Sequence, residues 1–324
     1  MKVLVTGGAG YVGGTVARLL MQAGHEVTIF DNLCHSTSSA LPPQARFVEG
    51  DLKDRPLIEG VLRDGAFDGV MHFAALIEAG ESMRCPEIYF RNNTASTLTL
   101  LEAMLAVGPQ KLVFSSTAAC YGEPLSTPIL EDAKLDPTNP YGESKLLVEY
   151  MLRWFNQIHG FRYASLRYFN VAGAVPGYGE SHEPESHLIP LILDVALGRR
   201  DKIMIFGTDY PTKDGTCVRD YIHVGDLAHA HLLAFHALEG TSRMIYNIGN
   251  GQGFTVREVI DSAIRVTGRS IAVEEQPRRP GDPAVLVASS EKIKRDLGWV
   301  PEHANLDNIV SSAWAWHQQR YRKP

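Results

Sequence analysis

Short apolar runs alternate with longer amphipathic stretches through the first half of the chain. Residues 3–6, 27–31, 46–49, 69–73, 111–115 and 163–167 are brief and mostly apolar, a pattern that predicts parallel strands buried on both faces. Between them, residues 11–23, 86–107 and 141–159 carry apolar positions at helical spacing. Strand–helix alternation of this kind predicts an α/β fold, a Rossmann-like doubly wound parallel sheet. The turn Asp136-Pro-Thr-Asn-Pro140 cannot be helical inside and delivers the chain to a helix start at Tyr141.

After about residue 171 the pattern changes. Residues 172–190 are rich in Gly, Pro, His and Glu and predict a long functional loop. Helices are then expected over 188–197, from about Asp226, and over 256–266 and 306–319. Strands are expected over 203–206 and 244–248, with a loop at 207–219. This second half predicts a smaller mixed α/β domain, some of whose strands return to the first sheet. No internal repeat stands out.

Composition narrows the class. The 324 residues are 44% hydrophobic and 21% charged, which is globular and excludes a disordered or fibrous chain. A net charge of −6 argues against a nucleic-acid or membrane-surface partner. The chain has no run approaching the ~20 apolar residues that span a bilayer, and its first apolar run is too short for a signal peptide. Cys34, Cys85, Cys120 and Cys217 fit no zinc or disulfide framework, so a reducing, cytoplasmic location is expected.

Gly7-Gly8-Ala9-Gly10-Tyr11-Val12-Gly13 follows the first strand and opens the first helix, the context a dinucleotide fingerprint requires. Glycines admit a pyrophosphate close to the backbone, and the helix start around Tyr11 and Val12 supplies N–H donors. Asp31 and Asn32 end the second strand, where a carboxylate accepts from a ribose 2′-hydroxyl and repels a 2′-phosphate. No Lys or Arg lies between Asp31 and Arg46, so NAD is favoured over NADP. Asp51 and Leu52 stand where an adenine edge would be met, with a helix N-cap as the equal alternative for Asp51. Phe73, Ala74 and Ala75 leave the fourth strand with room for a cofactor. Residues 1–171 are accordingly expected to form an NAD-binding domain, and residues 172–324 a second domain.

Tyr141 and Lys145 are four apart, on one face of a predicted helix. A free Tyr with a pKa of about 10 is a poor base near neutrality. A neighbouring ammonium and a bound nicotinamide cation both lower that value. Thr117, from the Ser115-Ser-Thr117 cluster, has a hydroxyl suited to holding the substrate oxygen that loses its proton.

The glycine loop, Asp31, Thr117 and Tyr141/Lys145, in that order, resemble the extended short-chain dehydrogenase/reductase family. The second half is similar to the UDP-glucose 4-epimerases within it. The segments that match are 114–122, 139–145, 166–173, 187–190, 214–224, 246–249 and 278–282. The resemblance implies that Tyr141 takes the sugar 4-hydroxyl proton while C4 gives hydride to NAD. A transient 4-keto sugar then takes hydride back on its other face, interconverting UDP-glucose and UDP-galactose. It implies that Lys145 binds the nicotinamide ribose, that Ser115, Asn92 and Tyr168 line the cofactor, and that Thr117 and Tyr141 meet the sugar. Phe169, Asn170, His187, Leu188, Phe206, Arg219, Tyr221, Arg279 and Asp282 are implied for the UDP-hexose. Arginine's planar, permanently charged fork suits a diphosphate. The resemblance further implies a homodimer through a four-helix bundle made by the helices at 86–107 and 141–159. Their apolar stripes (Leu98, Leu101, Leu105; Leu147, Met151, Trp154) equally suit packing against the sheet.

Two departures limit the resemblance: Ile77 stands where some relatives carry a Lys near the cofactor, so that contact is absent, and Leu286 stands where some carry a bulky Tyr walling the hexose pocket, which leaves room for N-acetylated sugars. Epimerisation of another UDP-sugar (UDP-N-acetylglucosamine, UDP-glucuronate or a UDP-pentose) is the first alternative. A dehydratase is disfavoured because Ala118-Ala119 follow Thr117 where such enzymes carry an acidic pair, and a silent NAD-sensing protein because Tyr141 and Lys145 are both present. No metal is expected: His182, Glu183, Glu185 and His187 lack helix-locked spacing, and His229, His231 and His236 do not share one face closely enough. Trp314 and Trp316 are expected to be packing residues.

Overall fold

The computed structural model describes residues 1–279 and 282–322, which form two compact units. The first comprises Met1–Glu123, Ala133–Tyr168 and Ala228–Tyr246; the second comprises Pro124–Asp132, Phe169–Leu227 and the chain from Asn247 onward.

The first unit opens with β1 (Lys2–Thr6), α1 (Tyr11–Gln22), β2 (Glu26–Asp31), β3 (Arg46–Glu49), α2 (Arg55–Gly65) and β4 (Gly69–His72). It continues through short helices α3 (Ala79–Ser82) and α4 (Pro86–Tyr89), then α5 (Ser96–Val107), β5 (Lys111–Thr117), α6 (Pro140–His159) and β6 (Arg162–Tyr168). The strands pair in parallel, and Leu4, Phe30, Val70, Leu112, Phe114 and Tyr163 are all buried. Ile58, Leu62, Leu101, Met104, Val148 and Leu152 pack on them from α2, α5 and α6. Full burial of such a side chain contributes about 1.5–3 kcal/mol. The expected strands are all present, each within two residues of its expected ends, but β3 is not buried on both faces: it is the edge strand, with Arg46 and Glu49 exposed.

One helix departs from expectation. Residues 86–107 do not form a continuous α-helix: Phe90–Ala95 is a π-helical segment between α4 and α5. Side chains here bond outside the helix. Asn93 Nδ2 reaches Ser144 Oγ at 3.1 Å, and Thr94 Oγ1 donates to Ser144 O at 3.1 Å. Inside it, Ser96 Oγ donates to the carbonyl of Arg91, five residues back, at 3.1 Å. The widened turn accommodates one extra residue and frees two polar side chains for tertiary contacts.

The turn before α6 behaves as its sequence predicts. Asn139 Oδ1 accepts from Gly142 N at 2.9 Å, Pro140 occupies the first turn, and Gly160 ends the helix at φ +69°.

In the second unit come β7 (Asn170–Ala172), β8 (Ala174–Val175), β9 (Tyr178–Gly179), α7 (Leu188–Ala196), β10 (Ile203–Phe206) and β11 (Val218–His223). The chain then runs through α8 (Val224–Ala237) and β12 (Arg243–Ile248), which lies beside β6 at the edge of the seven-stranded sheet ordered β12-β6-β5-β4-β1-β2-β3. The second unit resumes with β13 (Gly253–Thr255), α9 (Val256–Thr267), β14 (Val273–Gln276), β15 (Val285–Leu286), α10 (Glu291–Leu297) and α11 (Leu306–Arg320). Its core joins Ile192, Ile205, Val259 and Ile309. The expected loop at 172–190 contains the hairpin β8–β9, and Trp316 Nε1 donates to Glu180 O in it at 2.8 Å. No helix among the described residues is long and apolar enough to cross a membrane.

Candidate active site

The first unit gathers one group of expected residues at the ends of β1, β2, β4, β5 and β6. Gly7, at φ +71°, follows β1; a Cβ there would lie 2.4 Å from Ala74 N, and one on Gly13 2.3 Å from Gly7 O. Only glycine fits both positions, so the turn closes tightly in front of α1. Gly10 is the N-cap of α1, with no side chain to bond its N–H groups, and the first turn carries no acidic residue. Asp31 links this turn to the next loop: Oδ2 accepts from Ala9 N at 3.0 Å and Oδ1 from Leu33 N at 2.8 Å. Asn32 Nδ2 donates to Asp51 Oδ2 at 3.1 Å. The N-cap of α2 is Asp54, which accepts from Leu57 N at 3.1 Å. The capping alternative for Asp51 therefore falls away, and Asp51 instead turns the chain by accepting from Lys53 N at 2.9 Å.

Beneath the end of β4 lies His72, fully buried and pushed down to about 3 by that burial, with Lys145 adding to the effect. Thr97 Oγ1 donates to Asn93 O at 2.6 Å, so it accepts from His72 Nε2 at 2.8 Å; His72 Nδ1 in turn accepts from Thr6 Oγ1 at 2.6 Å. This fixes one neutral tautomer. Above it run the half-buried Phe73, Ala74 and Ala75. Asn93 clamps the next residue, accepting from Leu76 N and donating to Leu76 O, both at 2.9 Å. Asn92 bonds Asn93 itself, at 3.1 Å. Asn93 was not among the expected residues, although two adjacent Asn in an apolar helical pattern are a signal that could have raised it.

Tyr141 is the second residue of α6, its N–H donating to Ser82 Oγ at 3.2 Å. Thr117 ends β5, and its Oγ1 accepts from Ala119 N at 3.1 Å. Burial pushes the Tyr141 phenol up to about 12, while its hydrogen bond with the Thr117 side chain draws it down. Lys145 Nζ donates to Ser115 O at 2.8 Å and lies 3.5 Å from Ser115 Oγ. Burial lowers this amine to about 7. The expected depression of the phenol by Lys145 is not seen: burial dominates the phenol, and Lys145 Nζ is bonded to the β5 carbonyl of Ser115. Tyr168, the last residue of β6, hydrogen-bonds Ser115 and His231 through its hydroxyl, and burial holds its pKa well above the ordinary value.

The second unit gathers another group around β10 and β11. Arg219 and Tyr221 alternate with Asp220 along β11. The Arg219 guanidinium pairs with Asp282, and Tyr210 Oη donates to Asp282 O at 3.4 Å. The Arg279 guanidinium lies 3.9 Å from the centre of the Phe206 ring at the end of β10, and that of Arg278 lies 4.1 Å from the Tyr210 ring. Tyr210 and Arg278 were not singled out from sequence. Asn170 is the register partner of Tyr221, and Phe169, just before it, is buried. His187 stands apart from these pairs, its Nδ1 2.8 Å from Glu185 Oε1 at the start of α7, where Leu188 packs into the core. No group of three or more potential metal ligands is assembled among the described residues.

Comparison with known proteins decides the family. A family described as the NAD dependent epimerase/dehydratase family matches residues 3–249. The UDP-glucose 4-epimerase of Corynebacterium glutamicum is 52% identical over 316 residues, 98% of this chain and 95% of its own; that of Streptomyces lividans is 53% identical over 317 residues, 98% and 96%. A crystal structure of UDP-glucose 4-epimerase superposes with a TM-score of 0.97 at 47% identity, covering 100% of this chain and 99% of that one. The Brucella ovis UDP-glucose 4-epimerase in complex with NAD gives 0.94 at 42% identity, with 97% of each chain covered. This chain belongs to the NAD-dependent epimerase/dehydratase family.

NAD is the cofactor of this epimerase/dehydratase family member, and the residues present fit it. A Cβ on Gly7 or Gly13 would collide with backbone, so these two glycines let the turn after β1 close tightly in front of α1, where a pyrophosphate approaches the backbone. Asp31 presents a carboxylate at the end of β2 with lone pairs beyond the two N–H bonds it accepts. NAD supplies the hydride acceptor; the chain supplies the groups that bind, orient and move the proton.

Proposed function

We propose that this family member interconverts UDP-glucose and UDP-galactose through a transient 4-keto sugar, with Tyr141 as the base. The observation that carries the reading is the Tyr141–Thr117 hydrogen bond, in a chain 52% identical to a UDP-glucose 4-epimerase. A phenol already bonded to a second hydroxyl is placed to take a proton from a sugar hydroxyl that Thr117 also holds. In this reading Lys145, fixed to β5 through Ser115 O, binds the nicotinamide ribose. Gly7, Gly10, Tyr11, Val12, Gly13, Asp31, Asn32, Asp51, Leu52, Phe73, Ala74, Ala75, Asn92, Ser115 and Tyr168 line the dinucleotide.

The first unit is the NAD-binding part and the second binds the nucleotide sugar. Arg219 and Arg279 hold the diphosphate, Asp282 the ribose, and Phe206 and Tyr221 border the uridine, with Phe169, Asn170, His187 and Leu188 completing the site. Arg279 against the Phe206 ring and Arg219 paired with Asp282 support this role, since both guanidinium groups are held by partners.

The protein acts as a homodimer. The apolar stripes of α5 and α6 divide: Leu101 is in the core, whereas Leu98, Trp154 and Ile158 are 37%, 52% and 65% exposed. Those exposed side chains suit a four-helix bundle with a second copy. The four free thiols suit a cytoplasmic setting.

A second reading extends the substrate range to N-acetylated UDP-sugars. Leu286, the register partner of Arg219, supports it through its small volume. A UDP-Glc/GlcNAc 4-epimerase of Campylobacter jejuni superposes with a TM-score of 0.87 at 42% identity, covering 98% of this chain.

Proton NMR of UDP-galactose incubated with purified protein, with and without added NAD, tests the function. Appearance of UDP-glucose is expected; an unchanged C4 configuration in both conditions would overturn it.

A further inference from the structure

The histidines of α8 fit no metal, yet one of them is built into the candidate active site. His231 is fully buried, and its Nε2 is hydrogen-bonded to the Tyr168 hydroxyl. Its ring centre lies 4.9 Å from that of Phe73 and 5.3 Å from that of Tyr168. Phe73 follows β4 and Tyr168 ends β6, the two strands that flank β5. The imidazole is therefore wedged between the chain ends on either side of Ser115 and Thr117.

The direction of these bonds follows from the donors available. A phenol has one proton to give and two lone pairs to offer. Lys145 Nζ donates toward Ser115 Oγ at 3.5 Å, which leaves the Ser115 hydroxyl proton for the Tyr168 oxygen it is bonded to. The phenol's own proton is then left for His231 Nε2, which makes His231 the Nδ1–H tautomer. Tyr168 is also close enough to Tyr141 to feel its charge. Two phenols share this site, and only one of them is needed as a base.

We propose that His231 is a positioning residue that holds Tyr168 as a neutral, oriented phenol, leaving Tyr141 as the one phenol that exchanges a proton with substrate. This rests on the reading of Tyr141 as the base. Once the His231 acceptor is lost, the Tyr168 proton needs a new partner, and a phenolate at Tyr141 is the strongest acceptor a neighbouring phenol can find. That hydrogen bond would weaken the base without removing any contact to the nucleotide.

The test uses full-length wild type, His231→Leu, His231→Gln, His231→Asn, Tyr168→Phe and the Tyr168→Phe/His231→Leu double variant. Each is assayed for UDP-galactose conversion, thermal unfolding and bound NAD. His231→Leu is expected to lower kcat by about 10- to 100-fold, the scale of a misplaced group in an active site, with KM little changed. Gln, whose side-chain oxygen reaches the Nε2 position, should restore most of the turnover, and the shorter Asn should not. In the Tyr168→Phe background, His231→Leu should cost nothing further in kcat, since the hydroxyl it acts through is gone. The inference is overturned if His231→Leu folds and turns over like wild type. The same loss in both backgrounds, or a loss that follows melting temperature or NAD content alone, overturns it equally. If His231→Leu does not fold, the Gln/Asn comparison decides in the same way. Wild-type protein that fails to convert UDP-galactose would sink the functional reading itself, which is a separate outcome.

Discussion

Glu149 and Arg167 form a buried, doubly bonded ion pair: Arg167 Nη2 meets Glu149 Oε2 at 2.6 Å and Nε meets Oε1 at 3.0 Å. Glu149 lies one turn beyond Lys145 on α6, and Arg167 immediately precedes Tyr168. Glu149 Oε1 also accepts from Ser116 Oγ at 2.6 Å, next to Thr117, while Arg167 Nη1 donates to Tyr121 Oη at 2.7 Å. This network ties α6 to the ends of β5 and β6, so the elements that carry Tyr141, Thr117 and Tyr168 share one foundation.

Removing one partner strands the other's charge in the interior. Glu149→Ala should lower unfolding stability by about 3–5 kcal/mol, the cost typical of breaking a buried pair. Denaturant titration followed by circular dichroism measures this. A change under about 1 kcal/mol would mean that water or another group takes over the guanidinium.

Tyr141→Phe should reduce turnover by roughly 10²–10⁴-fold with the fold intact, since the general base is gone. Near-normal conversion would remove Tyr141 from that role. Burial raises the phenol pKa to about 12 even with the Thr117 hydrogen bond drawing it down. Thr117→Val should therefore move the acid limb of the kcat/KM profile to higher pH, and a limb that stays in place or moves lower would contradict the assignment.

What the sequence disclosed about this site follows the range of the forces involved. The glycine turn, Asp31 and the α6 start were legible because each is a local device: a backbone that excludes Cβ, a strand end, an Asn139 cap with Pro140 behind it. Most of the strands were legible because they are short and mostly apolar. The π segment at Phe90–Ala95 was not legible, since it is stabilised by Asn93 and Thr94 reaching Leu76 and Ser144, distant in the chain. His231 was passed over for the same reason: its partner lies 63 residues away. Tyr210 and Arg278 escaped notice because an aromatic and a cation carry no pattern until the fold stacks them.

Arg219→Ala should weaken UDP-sugar binding by about 2–4 kcal/mol if the guanidinium holds the diphosphate. Part of that loss comes from Asp282, which loses its ion-pair partner and faces the incoming phosphates as an uncompensated negative charge. Calorimetric titration with UDP measures the loss, and an unchanged affinity would reassign Arg219 to holding β11 in place.

Asp220 gives the second unit a pH dependence of its own. Its carboxylate is fully buried on β11 and accepts from Asn250 N at 2.6 Å and from Gly251 N and Ala288 N, each at 3.0 Å. Burial raises its pKa to about 6, against the pull of those three N–H groups. The folded value exceeds the unfolded one of about 3.9, so the folded state binds the proton more tightly. The resulting stabilisation is complete below about pH 4 and is lost as pH rises through about 6. Asp220→Asn cannot titrate. Its stability deficit relative to wild type should therefore be largest near pH 4 and shrink toward pH 7 in paired thermal melts. A deficit that grows with pH would show that the carboxylate is held ionised in the fold.

Leu286 supports the last prediction, on substrate range. It sits on the two-residue strand β15, in parallel register with Arg219 of β11, so both side chains leave the same face of that small sheet. If Arg219 holds the diphosphate, the residue beside it meets the hexose that the diphosphate carries. A Leu there leaves space that a Tyr would fill, and the acetamido group of an N-acetylated sugar is of comparable bulk. Wild type should therefore convert both UDP-galactose and UDP-N-acetylgalactosamine. Leu286→Tyr should cut kcat/KM for the N-acetylated sugar by about 10- to 200-fold, the range a filled pocket imposes, and leave UDP-galactose nearly unaffected. An equal loss for both sugars would mean that the Tyr disturbs β11 and Arg219 themselves. Negligible conversion of the N-acetylated sugar by wild type would show that the pocket is closed by residues other than Leu286.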